Sequence, residues 1–218
     1  MRSSYNHVAG QSVERLAALS DGIFGVGMTL LVLDLRTPAL EVVHSELGLW
    51  SALAATLPEL VMYMMSFITL GIFWVGQQTQ LNHLEHSDRH LTWINLGFLF
   101  AVTLLPFSTK VLAEFYAYRA ALIEYWFNIL LLGGGLYFTW GYAVRNKLLK
   151  ADTPQEVPAA VCLRIVYAQS LYALGALLCI VDTRLSIGFI VLVQLYYALA
   201  PGFSRRPSGG SPSRAGTV

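Results

Sequence analysis

The sequence predicts an all-α, polytopic membrane protein that crosses the bilayer six times. Of its 218 residues, 56% are apolar and only 12% are charged, which lies outside the range of soluble globular domains. The apolar residues fall into six long runs, and most approach the ~20 residues that a helix needs to cross a hydrocarbon core. Fourteen Lys and Arg residues against thirteen Asp and Glu residues leave the chain near neutral, which argues against a nucleic-acid partner.

The six predicted spans follow one another along the chain, with turn-forming or polar residues between them. They cover residues 16–35, 49–71, 91–111, 122–144, 161–181 and 185–200. The polar run 77–90 is expected to be a loop after the second span, and the sixth span is the shortest. Residues from 201 onward are rich in Ser, Gly, Pro and Arg, a composition that does not form a packed core. We therefore divide the chain into an N-terminal segment 1–13, a transmembrane domain 14–200 and a disordered tail 201–218.

The distribution of Lys and Arg residues predicts the orientation of the chain in the membrane. Ten of the fourteen lie in the N-terminal segment, in the second and fourth loops with the helix start that follows, and in the tail. Loops rich in Lys and Arg remain in the cytoplasm. The other four basic residues fall on the opposite side, so we expect both termini to be cytoplasmic.

The first span is the candidate functional helix because it carries both a stripe and a charge. Five apolar residues recur at steps of four and three and share one narrow stripe: Leu19, Ile23, Val26, Leu30 and Leu33. Asp21 lies in the same run, and an ionisable residue within a membrane span is a functional candidate by default. The stripe has two open interpretations, which are packing inside the bundle and rings of side chains that narrow a pore between symmetric copies.

Small residues on the first span predict where this helix lies. Gly22, Gly25 and Thr29 form a ridge, and small residues allow membrane helices to approach each other closely. We therefore expect the first helix to lie inside the bundle. Its stripe would then face another helix or a copy of itself.

Five motifs follow one another in the first half of the chain. They are Arg15-x-x-x-Leu19-Ser20-Asp21-Gly22, Thr29-Leu30-Leu31-Val32-Leu33, Phe73-Trp74, Trp93-x-Asn95-Leu96 and Leu104-Leu105-Pro106-Phe107-Ser108-Thr109. This order resembles the transmembrane protein 175 family of potassium channels, in which Arg, three residues and Phe-Ser-Asp open the first helix. Two departures stand out. Leu19 replaces the family Phe, and Gln77-Gln78 stand where the family often has a histidine after the Trp.

The resemblance implies a potassium channel that is a homotetramer of six-helix subunits in a bacterial cell membrane, with no cofactor and no bound metal. In such a channel the first helix of each subunit lines the pore, and K⁺ is the permeant ion. The constriction residues of the family fall on Val26, Leu30 and Leu33, with Leu19 and Ile23 as wider pore lining. Thr29 matches a threonine whose hydroxyl lies close to the ion path, although a local bond to its own helix is the equal alternative.

The remaining signature residues are interpreted as a structural network rather than as ion ligands. Arg15 and Asp21 are six residues apart and do not share a helix face, so we do not expect them to pair directly. Arg15, Ser20 and Asp21 are instead expected to bond to groups on neighbouring helices, such as Trp74 and Asn95. Loss of Asp21 should therefore impair assembly more than ion selectivity.

Alternatives to a channel come from the other polar residues. A secondary transporter, or a membrane protein coupled to protons or cations, could use Glu59 or Asp21, and it would be expected to have helices broken by Gly or Pro, as at 133–135. His83, His86 and His90 have a spacing that could collect a metal or sense pH, although a solvated face is the ordinary outcome. An intramembrane enzyme is disfavoured, because no histidine lies centrally in a span.

Overall fold

The structure is a computed structural model that describes residues 12–39 and 43–199. All the named secondary-structure elements in these two ranges are helices, which confirms the predicted all-α class. The helices are α1 (Val13–Leu33), α2 (Glu46–Ala55), α3 (Leu57–Asn82), α4 (Arg89–Glu114), α5 (Arg119–Arg145), α6 (Val157–Leu177) and α7 (Thr183–Leu199). The predicted disordered tail 201–218 and residues 1–11 of the N-terminal segment lie outside the described residues.

Five of these helices are long and apolar enough to cross a membrane. They are α1, α3, α4, α5 and α6, and a short 3-10 turn, Leu178–Ile180, continues α6. Helix α7 lies where the sixth span is predicted, and this apolar helix of 17 residues is shorter than the other five. Five of the six predicted spans therefore correspond to a helix of full length, and the sixth to a shorter apolar helix.

The second predicted span, 49–71, is wrong at its beginning. Residues 46–55 form the separate helix α2, the chain turns at Thr56, and the long helix α3 begins at Leu57. Pro58 explains the break, because its ring would clash with the carbonyl group four residues earlier in a continuous helix, and it has no N–H to donate. At the first turn of α3 the missing N–H costs nothing, so Pro58 starts a helix instead of kinking one.

The predicted polar loop 77–90 is also shorter than expected. Helix α3 continues to Asn82, and α4 begins at Arg89, where the Asp88 carboxylate caps the helix by accepting a hydrogen bond from the Leu91 N–H (2.7 Å). Gln77 and Gln80 are buried in the last turns of α3. Polar composition predicted a solvated loop here, whereas Gln77 and Gln80 face neighbouring helices.

The long helices run in alternating directions around α4. Gln77 of α3 meets Ser20 of α1, and Ser66 of α3 meets Thr109 of α4, so sequential helices pair antiparallel. Helix α4 packs against α1, α3 and α5, and half of its most apolar stretch is buried. The start of α1 and the end of α7 therefore lie at the same end of the bundle, which we call the N-terminal end.

Candidate functional site

Helix α1 has one buried face, and that face attaches it to the rest of the chain. Its buried residues recur at steps of four and three and pack against α3 and α4: Leu16, Ser20, Phe24, Gly27 and Leu31. Gly27 lies on this face, where a Cβ would make ordinary van der Waals contacts with Leu70 at 3.6 Å and Val102 at 3.9 Å. The first helix therefore lies at the outside of the bundle formed by one chain, with a single face in the core.

The predicted stripe lies on the face of α1 next to the buried one, and most of its side chains are exposed. Leu19, Val26, Leu30 and Leu33 are 45%, 57%, 44% and 76% exposed, and Ile23 is half-buried. Four of the five, Leu19, Ile23, Val26 and Leu30, line a shallow apolar groove of about 360 Å³ together with Thr103 of α4. The interpretation that the stripe packs against other helices of the same chain is therefore wrong. The stripe remains available to lipid or to another copy of the chain.

The ridge of small residues on α1 also makes no close contact with another helix of the chain. Neither Gly22 nor Gly25 has another group within 4 Å of the position that a Cβ would occupy. Thr29 is exposed, and its hydroxyl donates to the Val26 carbonyl one turn earlier (2.8 Å). The Thr29 oxygen can still accept hydrogen bonds or contact a cation. The expected close packing of this ridge does not occur within the subunit.

A buried network of hydrogen bonds joins α1 to α3 and α4. Gln77 Nε2 donates to Ser20 Oγ (3.0 Å) and to Asn95 Oδ1 (2.8 Å), and the Ser20 hydroxyl donates to the Leu16 carbonyl (2.8 Å). All three side chains of this network are fully buried. Because a polar group in an apolar interior is costly unless it is bonded, these contacts fix the position of α1 against its neighbours.

Asp21 forms a second attachment, which lies beside the first. Its Oδ1 accepts hydrogen bonds from Trp74 Nε1 (2.8 Å) and from Gln78 Nε2 (2.6 Å), both on α3. An ionised carboxylate makes such bonds stronger than neutral pairs. The structure thus brings Ser20, Asp21, Trp74 and Asn95 together at one end of the bundle.

Arg15 lies apart from this network. It is exposed at the start of α1, where its backbone N–H donates to the Ser12 side chain (3.2 Å). Neither ion pair within residues 12–39 and 43–199 involves Arg15 or Asp21, in agreement with the six-residue offset between them. Within the subunit, Asp21 is held by neutral donors rather than by Arg15.

Gln77 and Gln78 depart from the family pattern, and each donates a hydrogen bond to α1 in one of the two attachments. A detectable signal was present in the sequence. Gln77 and Gln78 follow Trp74 by three and four residues, so all three share one face of α3. A helix face that carries one hydrogen-bond donor to α1 was therefore a place to expect others.

The other candidate polar residues do not form a site. Glu59 lies in the first turn of α3, beside the ion pairs Arg36–Glu114 (2.7 Å) and Lys110–Asp34 (3.2 Å). His83 packs edge-on against Trp140, and His90 lies against Tyr142. No group of three or more His, Cys, Asp or Glu residues in the described part of the chain is arranged to hold a metal.

The three glycines at 133–135 do not break α5, which is continuous from Arg119 to Arg145. They allow two close approaches instead. A Cβ at Gly133 would clash with the Gln169 side chain of α6, and one at Gly135 would lie 2.8 Å from Phe98 Cβ of α4. These glycines therefore serve helix packing rather than an unwound binding segment.

Comparison with known proteins supports the same fold. The family described as the endosomal/lysosomal potassium channel TMEM175 matches residues 15–106, a range that contains both attachments. A crystal structure titled as a lysosomal potassium-selective channel TMEM175 homolog from Chamaesiphon minutus superposes with a TM-score of 0.76 at 26% identity. That match covers 86% of this chain and 97% of the homolog.

Relatives by sequence are named as channels. A potassium channel of Streptomyces collinus is 32% identical over 88% of this chain and 93% of its own length, and a potassium channel of Chamaesiphon minutus is 27% identical over 85% and 93%. The human endosomal/lysosomal proton channel TMEM175 is 31% identical over 48% of this chain, which corresponds to 22% of the human protein.

The apolar helices and these relatives together define an integral, multi-pass membrane protein of the ion-channel class. An ion channel, rather than an enzyme, is the function class to which the relatives point. The chain belongs to the TMEM175 family of potassium channels.

Proposed function

We propose that this chain forms a homotetrameric, K⁺-preferring channel in which the first helix of each subunit lines a shared pore. Val26, Leu30 and Leu33 form rings that narrow the pore, and Leu19 and Ile23 line its wider part. No Thr-Val-Gly-Tyr-Gly segment occurs in the sequence, so a filter of that kind does not set selectivity. The potassium channels named among its relatives support K⁺ as the permeant ion.

The proposal rests on one observation. The stripe on α1 is exposed in the single chain, whereas the neighbouring face of the same helix is buried. A membrane helix has no need of a regular apolar stripe to face lipid, because lipid accepts any apolar side chain. A cyclic oligomer brings equivalent positions of every subunit to a common axis, so each stripe residue becomes a ring. Rings of branched apolar side chains control ion passage by controlling whether water fills the constriction.

The hydroxyl of Thr29 gives the constriction a polar component. An all-carbon ring cannot replace the hydration shell of an ion, whereas an oxygen next to Leu30 can do so in part. The exposed Thr29 hydroxyl, which donates to its own helix, keeps its oxygen available as an acceptor.

The attachments at the N-terminal end act as a latch rather than as ion ligands. Ser20 and Asp21 are bonded to Trp74, Gln77 and Gln78 of α3, and Gln77 continues the network to Asn95 of α4. A latch of this kind sets the rotation of α1 and therefore the direction in which its stripe points. Ten of the fourteen basic residues fall in the N-terminal segment, in the second and fourth loops with the helix start that follows, and in the tail, so we place both termini in the cytoplasm of a bacterial cell.

Potassium flux into liposomes containing the purified protein tests the proposal, with Na⁺ as the comparison ion. We expect K⁺ flux to exceed Na⁺ flux in the wild-type protein. Leu30→Ala and Leu33→Ala should widen the constriction, so that flux rises or the preference for K⁺ over Na⁺ falls.

Val32→Ala is the matched control, because Val32 is on the same helix and is 46% exposed, against 44% for Leu30. It lies about 160° around the helix from Leu30, so it does not share the stripe. Unchanged flux in both leucine variants, or an equal change in Val32→Ala, would contradict a constriction on the stripe. Absence of flux from a folded wild-type oligomer would reject the channel itself.

Proton conduction is a second candidate, since the human relative is named as a proton channel. The same liposomes, loaded with a pH-sensitive dye and held under a K⁺ diffusion potential, measure it directly. Acidification carried by protons, with no K⁺ flux in parallel experiments, would favour this candidate over the first.

A further inference from the structure

Both ion pairs in the described part of the chain join the end of α1 to the end of α4, at the end of the bundle opposite the latch. Asp34, the C-terminal cap of α1, pairs with Lys110 (3.2 Å), and Arg36 pairs with Glu114 (2.7 Å). Lys110 and Glu114 are four residues apart, so they share one face of α4. We call these four residues the clasp.

The order of charges in the clasp favours one register of α1 against α4. Just beyond α1 the chain carries a negative and then a positive residue, whereas α4 ends with a positive and then a negative one. A shift that brought Arg36 opposite Lys110 would place two positive charges together. The reverse shift would bring together the carboxylates of Asp34 and Glu114, and contacts between like charges disfavour both arrangements. The clasp therefore specifies where the end of α1 lies.

The clasp lies directly beyond the proposed constriction. Leu33 is the last residue of α1, it is 76% exposed, and Asp34 follows it. One side-chain hydrogen bond arises from residues 22–33, from Thr29 to the Val26 carbonyl, and it stays within α1. Polar contacts therefore attach α1 to its neighbours at two places, the latch near its beginning and the clasp at its end.

The clasp is suited to set a position rather than to stabilise the whole fold. Its four side chains are between 32% and 73% exposed. Ion pairs that are exposed to this extent contribute little to the free energy of unfolding. Leu31 is buried in the core and keeps α1 close to its neighbours, but apolar contacts are not directional. The ion pairs add the direction that these contacts lack.

We propose that Lys110 and Glu114 are positioning residues of the constriction. Through Asp34 and Arg36 they hold the last turn of α1, so that Leu33 keeps a fixed distance from the pore axis. When the pairs are broken, the end of α1 moves away from α4 and the ring of Leu33 loses its defined width. This inference rests on the proposed function, in which Leu33 narrows the pore.

Exchange of charges along one helix tests the proposal without changing the net charge of the chain. Lys110→Glu combined with Glu114→Lys, the α4 exchange, places like charges opposite each other in both pairs. We expect the ratio of K⁺ flux to Na⁺ flux in liposomes to fall by about threefold. Addition of Asp34→Arg and Arg36→Asp restores both pairs with their signs reversed, so this combined exchange should return the ratio to the wild-type value. A wild-type ratio in the α4 exchange, or no recovery in the combined exchange, would overturn the proposal.

A spin label at the end of α1 reports the same change without any ion flux. Leu33→Cys is labelled in a background in which Cys162 and Cys179 are replaced by alanine. The electron paramagnetic resonance spectrum should show a more mobile label in the α4 exchange and the wild-type mobility in the combined exchange. Unchanged mobility in the α4 exchange would overturn the clasp, whatever the flux. Mobility that rises and is restored while the flux ratio stays constant would uphold the clasp and contradict the constriction of the proposed function.

A second variant and two controls separate the clasp from general effects on folding or charge. Asp34→Arg with Arg36→Asp alone creates the same contacts between like charges, so it should reproduce the α4 exchange. Lys110→Arg retains the sign of the charge and should behave as wild type. Arg184→Gln should do so too, because Arg184 is exposed in the first turn of α7, away from the recess that the clasp residues line. Equal changes in either control would overturn the proposal.

Discussion

At the scale of single residues, Asp21 illustrates how a charge in a membrane helix can be structural. Its Oδ1 accepts hydrogen bonds from the Trp74 indole and from the Gln78 amide, so two donors of α3 depend on one oxygen. A carboxylate that coordinated ions in the pore would instead point toward the stripe face. Because the partners are neutral, the negative charge strengthens both bonds without being cancelled.

Substitution of Asp21 should therefore affect stability before it affects selectivity. Asp21→Ala leaves both donors without their acceptor, and a hydrogen bond to a charged group contributes about 1.5–3 kcal/mol. We expect the thermal midpoint in detergent to fall by about 5 °C. Asp21→Asn keeps an acceptor oxygen and should lose about half as much. A normal midpoint in Asp21→Ala, together with altered K⁺ preference, would contradict the latch.

At the scale of helices, the packing of α5 depends on glycines that composition alone would assign to flexibility. Helix α5 passes through the three glycines at 133–135 without interruption, and it approaches α4 at Gly135 and α6 at Gly133. Close contact between backbones is the means by which helices associate in lipid, where no hydrophobic force drives them together. Helix α5 is therefore a rigid support for α4, on which α1 rests.

Gly135→Ala tests this role of α5. The new Cβ would lie 2.8 Å from Phe98 Cβ and 3.2 Å from the Phe98 Cα, so either the side chain or the backbone must move. Overpacking of this kind costs about 1–3 kcal/mol, and the thermal midpoint in detergent should fall accordingly. Gly141→Ala is the control on the same helix, because nothing lies within 4 Å of its Cβ position. Its midpoint should stay constant or rise, and equal effects of the two substitutions would refute close packing at Gly135.

At the scale of the whole molecule, the single chain leaves its most regular apolar surface uncovered. The open groove beside Leu30 and the open positions at Gly22 and Gly25 lie on one helix. Exposed apolar surface rimmed by packed helices marks an interface or a lipid contact. In the proposed tetramer, four such helices meet at the axis, and the core formed by α3, α4 and α5 surrounds them.

The mass of the purified particle tests this arrangement. Light scattering with correction for detergent should give four copies of the 24.1 kDa chain. A monomer or a dimer that still conducts K⁺ would exclude a pore built from four first helices. Leu19→Ala should leave the mass unchanged, since Leu19 is interpreted as wide pore lining rather than as an assembly contact.

The sequence predicts some of these features well because their physical basis is local. Helical periodicity alone puts Leu19, Val26 and Leu30 on one face, and the structure keeps them together. Burial depends on tertiary contacts, so the sequence could not say that this face is open within one chain. The end of α3 was predicted too early for a related reason, because Gln77 and Gln80 are polar yet lie inside the bundle.

The central claim is that the stripe on α1 faces the ion path, and thiol accessibility tests it most directly. In a background in which Cys162 and Cys179 are replaced by alanine, Leu30→Cys and Val32→Cys are reconstituted separately. Each is then treated with a positively charged methanethiosulfonate reagent during K⁺ flux. We predict that the reagent blocks flux through Leu30→Cys and leaves Val32→Cys unaffected. Flux through Leu30→Cys that persists after its modification has been verified by mass spectrometry would contradict the claim.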